Sequence, residues 1–156
     1  MQENFYLGSD FDVTSDQPIN FIETRIHDLS PFSAHEVEIE GVVYKTAEHA
    51  YHVLRMVPEV RSAIAAATSP LNAWRAAQEA KDQGQLLPDH DKDALMEKIF
   101  RAKLEQHDDV RRVLKLTKDR ELLKVFNLDY YWGTGADGSG ENKMGKLWMK
   151  LRDELQ

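Results

Sequence analysis

The chain has 156 residues, 42% of them hydrophobic and 30% charged, with no cysteine and a formal net charge of −7. That length and balance predict one ordinary soluble globular domain whose core needs no staples, and the missing thiols exclude disulfides, thiolate nucleophiles and cysteine-ligated metals. The charge is uneven: residues 1–40 carry nine acidic side chains and one basic one, Arg25, so the rest is near neutral. An acidic arm on a near-neutral body argues against a general nucleic-acid binder, which shows a basic patch. It leaves room for a nucleotide held in a local pocket. No apolar run approaches a membrane span, and Met1 to Tyr6 lacks the basic and apolar segments of a secretory signal, so a cytoplasmic location is expected.

In chain order, residues 1–17 read as an acidic arm and residues 18–156 as the single domain. Ile19 to Thr24 has strand-like composition entered from Pro18. Leu29 to Ser33 reads as a loop, and Glu36 to Thr46 alternates apolar and acidic residues around Glu40-Gly41, which predicts a hairpin. Thr46 is placed to cap a helix over 47–56. Further helices are expected over 58–67 and over 70–81, the latter opened by Ser69 as cap and Pro70 at its first position and ended by Gly84. A longer helix beginning near Pro88 or Asp89 would carry Leu95, Met96, Ile99 and Phe100 as one stripe. Short helices are expected over 108–115 and 119–125, and a final one after Asn142 with Met144, Leu147, Trp148, Leu151 and Leu155 on one face. The predicted class is α+β, predominantly α-helical, with a small N-terminal antiparallel sheet.

Between Trp132 and Asn142 lie four of the eight glycines, Gly133, Gly135, Gly138 and Gly140. A glycine-rich turn opening onto a helix N-terminus presents unpaired N–H groups that suit phosphate or carboxylate, with Asn142 as the expected N-cap. The same pattern also suits a tight surface loop. No strand–turn–helix alternation surrounds it, so it is not a dinucleotide fingerprint. A calcium loop started at Asp137 puts Asn142 where glycine is required and Trp148 where the bidentate glutamate belongs.

The second informative stretch is Thr46 to His52. Glu48 and His52 are four apart, and His49 and His52 three apart, so each pair shares a helix face. Zinc would need a third ligand and supporting partners that the sequence does not nominate, so no metal or cofactor is expected. The useful set is a carboxylate at a helix start (Glu48), further carboxylates (Asp129, Asp137), an indole (Trp132) and the turn at Gly138 to Asn142. A carboxylate can stabilise an oxocarbenium-like centre or activate water beside it, an indole can stack on a departing heterocycle, and a glycine turn can receive phosphate. Together they suit cleavage of a glycosidic bond in a phosphorylated ribosyl base.

Thr46-Ala-Glu-His49 with Tyr51, Ser69-Pro70, Arg101 to Gln106, Asp129 to Gly135, Gly138 to Asn142 and Gly145 together resemble the NADAR family, the YbiA-like N-glycosidases. The order and spacing run from about Ile19 to the C-terminus. The resemblance implies a mainly helical α+β domain that cleaves N-glycosidic bonds. Its implied substrates are phosphoribosylamino-pyrimidine intermediates of riboflavin synthesis or ADP-ribosylated guanine. By position it marks Glu48 as the catalytic carboxylate, Asp129 and Trp132 as pocket residues, and Gly138, Gly140 and Asn142 as the glycine turn. Phe32 and Ser33 fall in the loop before the hairpin, and Lys103 and Gln106 in the long-helix motif.

Two positions depart from the family. Arg55 stands where a lysine is common, and Lys124 where a glutamate is often found. A guanidinium can grip phosphate with two N–H groups but cannot form a Schiff base, so on that route Lys103 or Lys146 would serve. The expected partner is therefore a small phosphorylated ribosyl or ADP-ribosyl substrate, with Glu48 and Asp129 catalytic and Trp132, Arg55 and the glycine turn binding. One alternative is a catalytically silent module that binds ADP-ribose or NAD. Another is an interaction domain that uses its acidic arm.

Overall fold

The computed structural model describes residues 14–22, 26–88 and 90–155. Most of the acidic arm, the end of the strand-like segment at Glu23 to Arg25, and Asp89 lie outside the described residues. The elements in chain order are β1 (Ile19–Asn20), a 3₁₀ turn (His27–Leu29), β2 (Val37–Ile39), β3 (Val42–Tyr44), α1 (Ala47–Arg55), α2 (Pro58–Ala65), α3 (Pro70–Asp82), α4 (Lys92–Gln106), α5 (Asp108–Leu116), β4 (Leu122–Leu123) and α6 (Lys143–Glu154). They fall into two compact units, residues 31–107 and residues 1–30 with 108–156. The class is α+β and predominantly helical. Among the described residues no helix is long and apolar enough to cross a membrane.

In the unit of residues 31–107, β2 and β3 form the hairpin, with Ile39 opposite Val42 and Glu40-Gly41 as its two-residue loop. Glu40 and Gly41 both take positive φ, 51° and 84°, the geometry of a type I′ turn, whose twist matches that of the flanking strands. Thr46 caps α1 by accepting the His49 amide, and Ser69 caps α3 by accepting that of Asn72, with Pro70 first in the helix. Gly84, at φ 74°, follows the end of α3. Helix α1 packs on the hairpin and on α2, α3 and α4, so seven of its nine residues are buried, among them the polar Glu48, His49 and His52. The long helix starts later than expected. Asp91, not Pro88, leads into it and accepts the Ala94 amide as its cap, while Pro88 lies in a turn.

In the unit of residues 1–30 and 108–156, β1 pairs in parallel with β4, Ile19 opposite Leu122. The expected helix over 119–125 is therefore a two-residue strand, and β1 joins it rather than the hairpin. The cause is tertiary. Lys118, at φ 54°, breaks the helical path after α5, and the next residues find their backbone partners in β1: Ile19 N–H donates to Glu121 O and Phe21 N–H to Leu123 O. Trp148 on α6 is fully buried and donates its indole N–H to Leu29 O at 2.8 Å, which satisfies the one polar atom of a side chain otherwise at home in a core. Arg152 on the same helix is also buried, and its guanidinium donates to Thr117 Oγ1 and Arg120 O.

Candidate active site

Glu48 sits in the first turn of α1, where the helix dipole favours a negative charge. Its amide donates to Pro31 O at 3.0 Å. Its carboxylate is about nine-tenths buried, and Oε2 accepts from His52 Nε2, one turn on, at 2.5 Å. Oε1 has no partner among the described residues. Arg55 lies on the same face a further turn along, about 10 Å down the axis from Glu48 at 1.5 Å per residue. Its guanidinium lies over the Tyr51 ring, 4.6 Å from the centroid, and its Nε donates to His90 Nε2 at 3.2 Å. His90 is held in turn by a bond from Nδ1 to Leu87 O. Nη1 and Nη2 of Arg55 have no partner among the described residues. Residues 85–88 and His90 reach this point because the strand-like bridge between Met56 and Leu86 lays Leu86 beside the end of α1, Leu87 N–H donating to Arg55 O at 2.8 Å.

The loop before the hairpin lies against the start of the same helix through Pro31. Ser33 is buried, and its hydroxyl accepts from Lys103 Nζ at 2.6 Å and pairs with His35 Nδ1 at 2.8 Å. Lys103, on α4, has no exposed surface at all. Phe32, next to Ser33 in the chain, keeps its ring partly in solvent. Gln106 serves the hairpin: its side-chain amide brackets Glu38, accepting from the N–H and donating to the carbonyl, at 2.9 Å each.

In the other unit the glycine loop is a closed arrangement. The N–H groups of Gly140, Glu141, Asn142, Lys143 and Met144 donate to the carbonyls of Thr134, Tyr130, Gly133, Tyr131 and Trp132. The amides from Gly140 to Met144 at this helix start are thus already paired. Asn142 is not a side-chain N-cap. It is buried in the left-handed conformation, φ 50°, and makes no cap bond. Its side chain accepts the Lys124 amide at 3.0 Å and donates to Leu122 O at 2.9 Å, so it continues the edge of β4. Gly140 passes so close to Gly133 and Thr134 that a side chain would collide with their backbone, whereas the space around Gly138, exposed at φ 80°, is open.

Asp129 shapes the same loop. Oδ1 accepts the amides of Tyr131 (3.1 Å) and Trp132 (2.8 Å), and Oδ2 accepts from Lys124 Nζ at 2.6 Å. Burial pushes its carboxyl up, but the hydrogen bond and charge of Lys124 and the two amides outweigh it and hold the group below the ordinary carboxylate value. Trp132 is partly exposed, its indole edge-on to Tyr131 at 5.0 Å.

Residues 17–156 match the NADAR domain. The chain belongs to the NADAR family. It is 33% identical over 146 residues to N-glycosidase YbiA of Escherichia coli (strain K12), covering 92% of this chain and 91% of that one. It is 30% identical over 154 residues to a riboflavin biosynthesis protein of Vibrio vulnificus (strain YJ016), covering 94% of this chain and 41% of that longer protein. Among solved structures it is similar to the NMR structure of E. coli YbiA, with a TM-score of 0.77, 32% identity, and 91% of this chain and 86% of that one covered.

The NADAR residues expected from sequence thus stand in two sets. Glu48, Arg55, Phe32, Ser33 and Lys103 lie in the unit of 31–107, with Glu48 and Arg55 on one helix face and Lys103 bonded to Ser33. Asp129, Trp132, Gly138, Gly140 and Asn142 share the loop of the other unit. Lys146 is exposed on α6. The two NADAR departures each have a partner here: Arg55 has His90, and Lys124 has Asp129. His90 had no signal in the sequence, since it lies 35 residues from Arg55. The His52 partnership was visible as an i, i+4 spacing to Glu48 but reads equally as a surface pair.

Proposed function

We propose that this NADAR N-glycosidase hydrolyses a phosphoribosylamino-pyrimidine of the kind handled in riboflavin synthesis, releasing the heterocyclic amine and ribose 5-phosphate. The observation that carries this reading is the α1 face. There, among the described residues, a buried carboxylate has one oxygen engaged and the other open, and a guanidinium with two unpartnered nitrogens follows two turns on. That spacing suits a ribose 5-phosphate laid along the helix, with its anomeric carbon at Glu48 and its phosphate at Arg55. Glu48 Oε1 would stabilise positive charge at C1′ as the C–N bond breaks and direct the incoming water. The water oxygen bonds to C1′, and the departing nitrogen gains a proton. Arg55 would take the phosphate through Nη1 and Nη2.

Asp129 and Trp132 enter the proposal through the family motif they match. Within its own unit, Asp129 would hold the loop that carries the Trp132 indole, a side chain suited to stack on a heterocycle, since both Asp129 oxygens are occupied. With their own amides paired internally, Gly140 and Asn142 would act by shaping this loop and Gly138 by lending its open tip. The name of the Vibrio relative supports a riboflavin-related substrate over ADP-ribosyl-guanine.

The test is release of free base from a phosphoribosylamino-pyrimidine and, separately, from ADP-ribosylated guanosine, by wild type and by Glu48→Gln. Glutamine keeps the size of the side chain and can still accept from His52. A loss of about a hundredfold or more on the pyrimidine substrate is expected. Equal rates in both proteins would remove Glu48 from the reaction. Turnover of the guanosine alone would overturn the substrate, and tight binding of ADP-ribose without turnover of either would mark a sensor instead.

A further inference from the structure

His49 and His52 are neighbours on α1 and equally buried, yet their nitrogens are used differently. His49 has both engaged, Nδ1 with Thr46 Oγ1 at 2.8 Å and Nε2 with Ala67 O at 2.9 Å. Those bonds tie the helix start to the end of α2 and account for the residue structurally. His52 has Nε2 on Glu48 Oε2 at 2.5 Å, while Nδ1 is buried with no hydrogen-bond partner among the described residues. Buried polar side-chain atoms without partners are uncommon in folded proteins. An apolar side chain would fill this place without leaving one, so packing does not explain a histidine here.

The geometry does. A carboxylate oxygen can only accept, so against an ionised Glu48 the ring carries a hydrogen on Nε2. Among the described residues no second partner competes for the ring at Nδ1. Both side chains are about nine-tenths buried, so water does not substitute freely for the bond. We propose that His52 is a positioning residue for Glu48. Its Nε2–H fixes Oε2 and the carboxylate's rotamer, and thereby presents Oε1 to the reacting carbon. This rests on the reading of Glu48 given above and adds a residue that acts only through it.

The experiment compares kcat, KM and thermal midpoint for wild type, His52→Leu, His52→Gln, Glu48→Gln and the double variant His52→Leu/Glu48→Gln, on the same N-glycoside. His52→Leu is expected to lower kcat roughly tenfold to a hundredfold, the scale seen when a group that orients a primary ligand is removed, with KM little changed. His52→Gln recovers most of that loss, because an amide N–H reaches the same oxygen. In the Glu48→Gln background, His52→Leu costs nothing further, the non-additivity expected of two groups acting as a unit. An unchanged kcat in His52→Leu, or the same loss in the Glu48→Gln background, overturns the proposal. So does failure of His52→Gln to recover activity at a wild-type thermal midpoint. A wild-type rate in Glu48→Gln is a different result, which removes Glu48 itself. If His52→Leu does not fold, His52→Asn, polar but too short to reach Oε2, takes its place: a lowered kcat supports the proposal and an unchanged one overturns it.

Discussion

Lys124 Nζ donates to Asp129 Oδ2 across 2.6 Å, while the other oxygen of the same carboxylate caps the amides of Tyr131 and Trp132. One side chain thus ties the residue after β4 to the turn that carries the indole. Because Asp129 is held below the ordinary carboxylate value of 3.8, its contribution to stability is fully present above that value and is lost as pH falls through the lower folded one. Asp129→Asn keeps an acceptor for the two amides but sets an NH₂ group against the Lys124 ammonium, and should cost about 1–3 kcal/mol near neutrality. Thermal melts of both proteins should differ by a constant amount from pH 7 to 5 and converge below 3.8. A gap that persists in acid would show that the ion pair is not its source.

Arg55 is predicted to act in binding rather than chemistry. Arg55→Ala removes the two guanidinium nitrogens that have no partner among the described residues, and charge-assisted hydrogen bonds contribute about 1.5–3 kcal/mol each. KM for the phosphorylated substrate should rise by roughly tenfold or more, with kcat changed much less. Arg55→Lys should recover only part, because an ammonium cannot match the fork. Steady-state kinetics with and without the 5′-phosphate decide this: equal KM changes for both substrates would place Arg55 outside the phosphate site.

The junction of β4 with α6 should be among the least tolerant places in its unit. Asn142→Ala orphans the Lys124 amide and the Leu122 carbonyl, at about 1–3 kcal/mol per buried group, and leaves alanine at a positive φ. Gly145→Ala would drive a methyl group into the Leu122 carbonyl and the Asn142 side chain, an overpacking that costs about 1–3 kcal/mol. Denaturant melts should register both losses. A Gly145→Ala protein as stable as wild type would contradict this close packing.

Two of the helix caps, Thr46 and Ser69, offer an internal comparison. Ser69→Ala loses one cap bond at an exposed site and should cost about 1 kcal/mol, with turnover unchanged. Thr46→Ala loses the same kind of bond and also strips Nδ1 of the buried His49 of its partner. It should cost distinctly more, and equal melting shifts would argue against the His49 contact.

How far each feature is legible in the chain follows the range of its signal. Glu40-Gly41, Thr46, and Ser69 with Pro70 are local instructions, each acting within about four residues through φ preferences or a single cap bond, and each appears where expected. Family membership is legible for a related reason, since spaced motifs survive as strings. Leu122-Leu123 has a local pattern that suits a helix, while the partners that make it a strand, Ile19 and Asn142, stand about a hundred residues before it and twenty after. Asn142 resembles a cap because a polar residue before a helix looks the same whether its side chain turns inward to β4 or outward to the helix amides.

By itself the sequence determined the helical class, the hairpin, the caps at Thr46 and Ser69, the family and the short roster of acids, bases and aromatics from which the chemistry must be drawn. Only the tertiary structure decided which atoms are occupied: the amides from Gly140 to Met144 and both oxygens of Asp129 are, while one oxygen of Glu48 and two nitrogens of Arg55 are open among the described residues. The reason is that hydrogen-bond occupancy depends on groups far apart in the chain meeting within about 3 Å, and no local pattern encodes that distance.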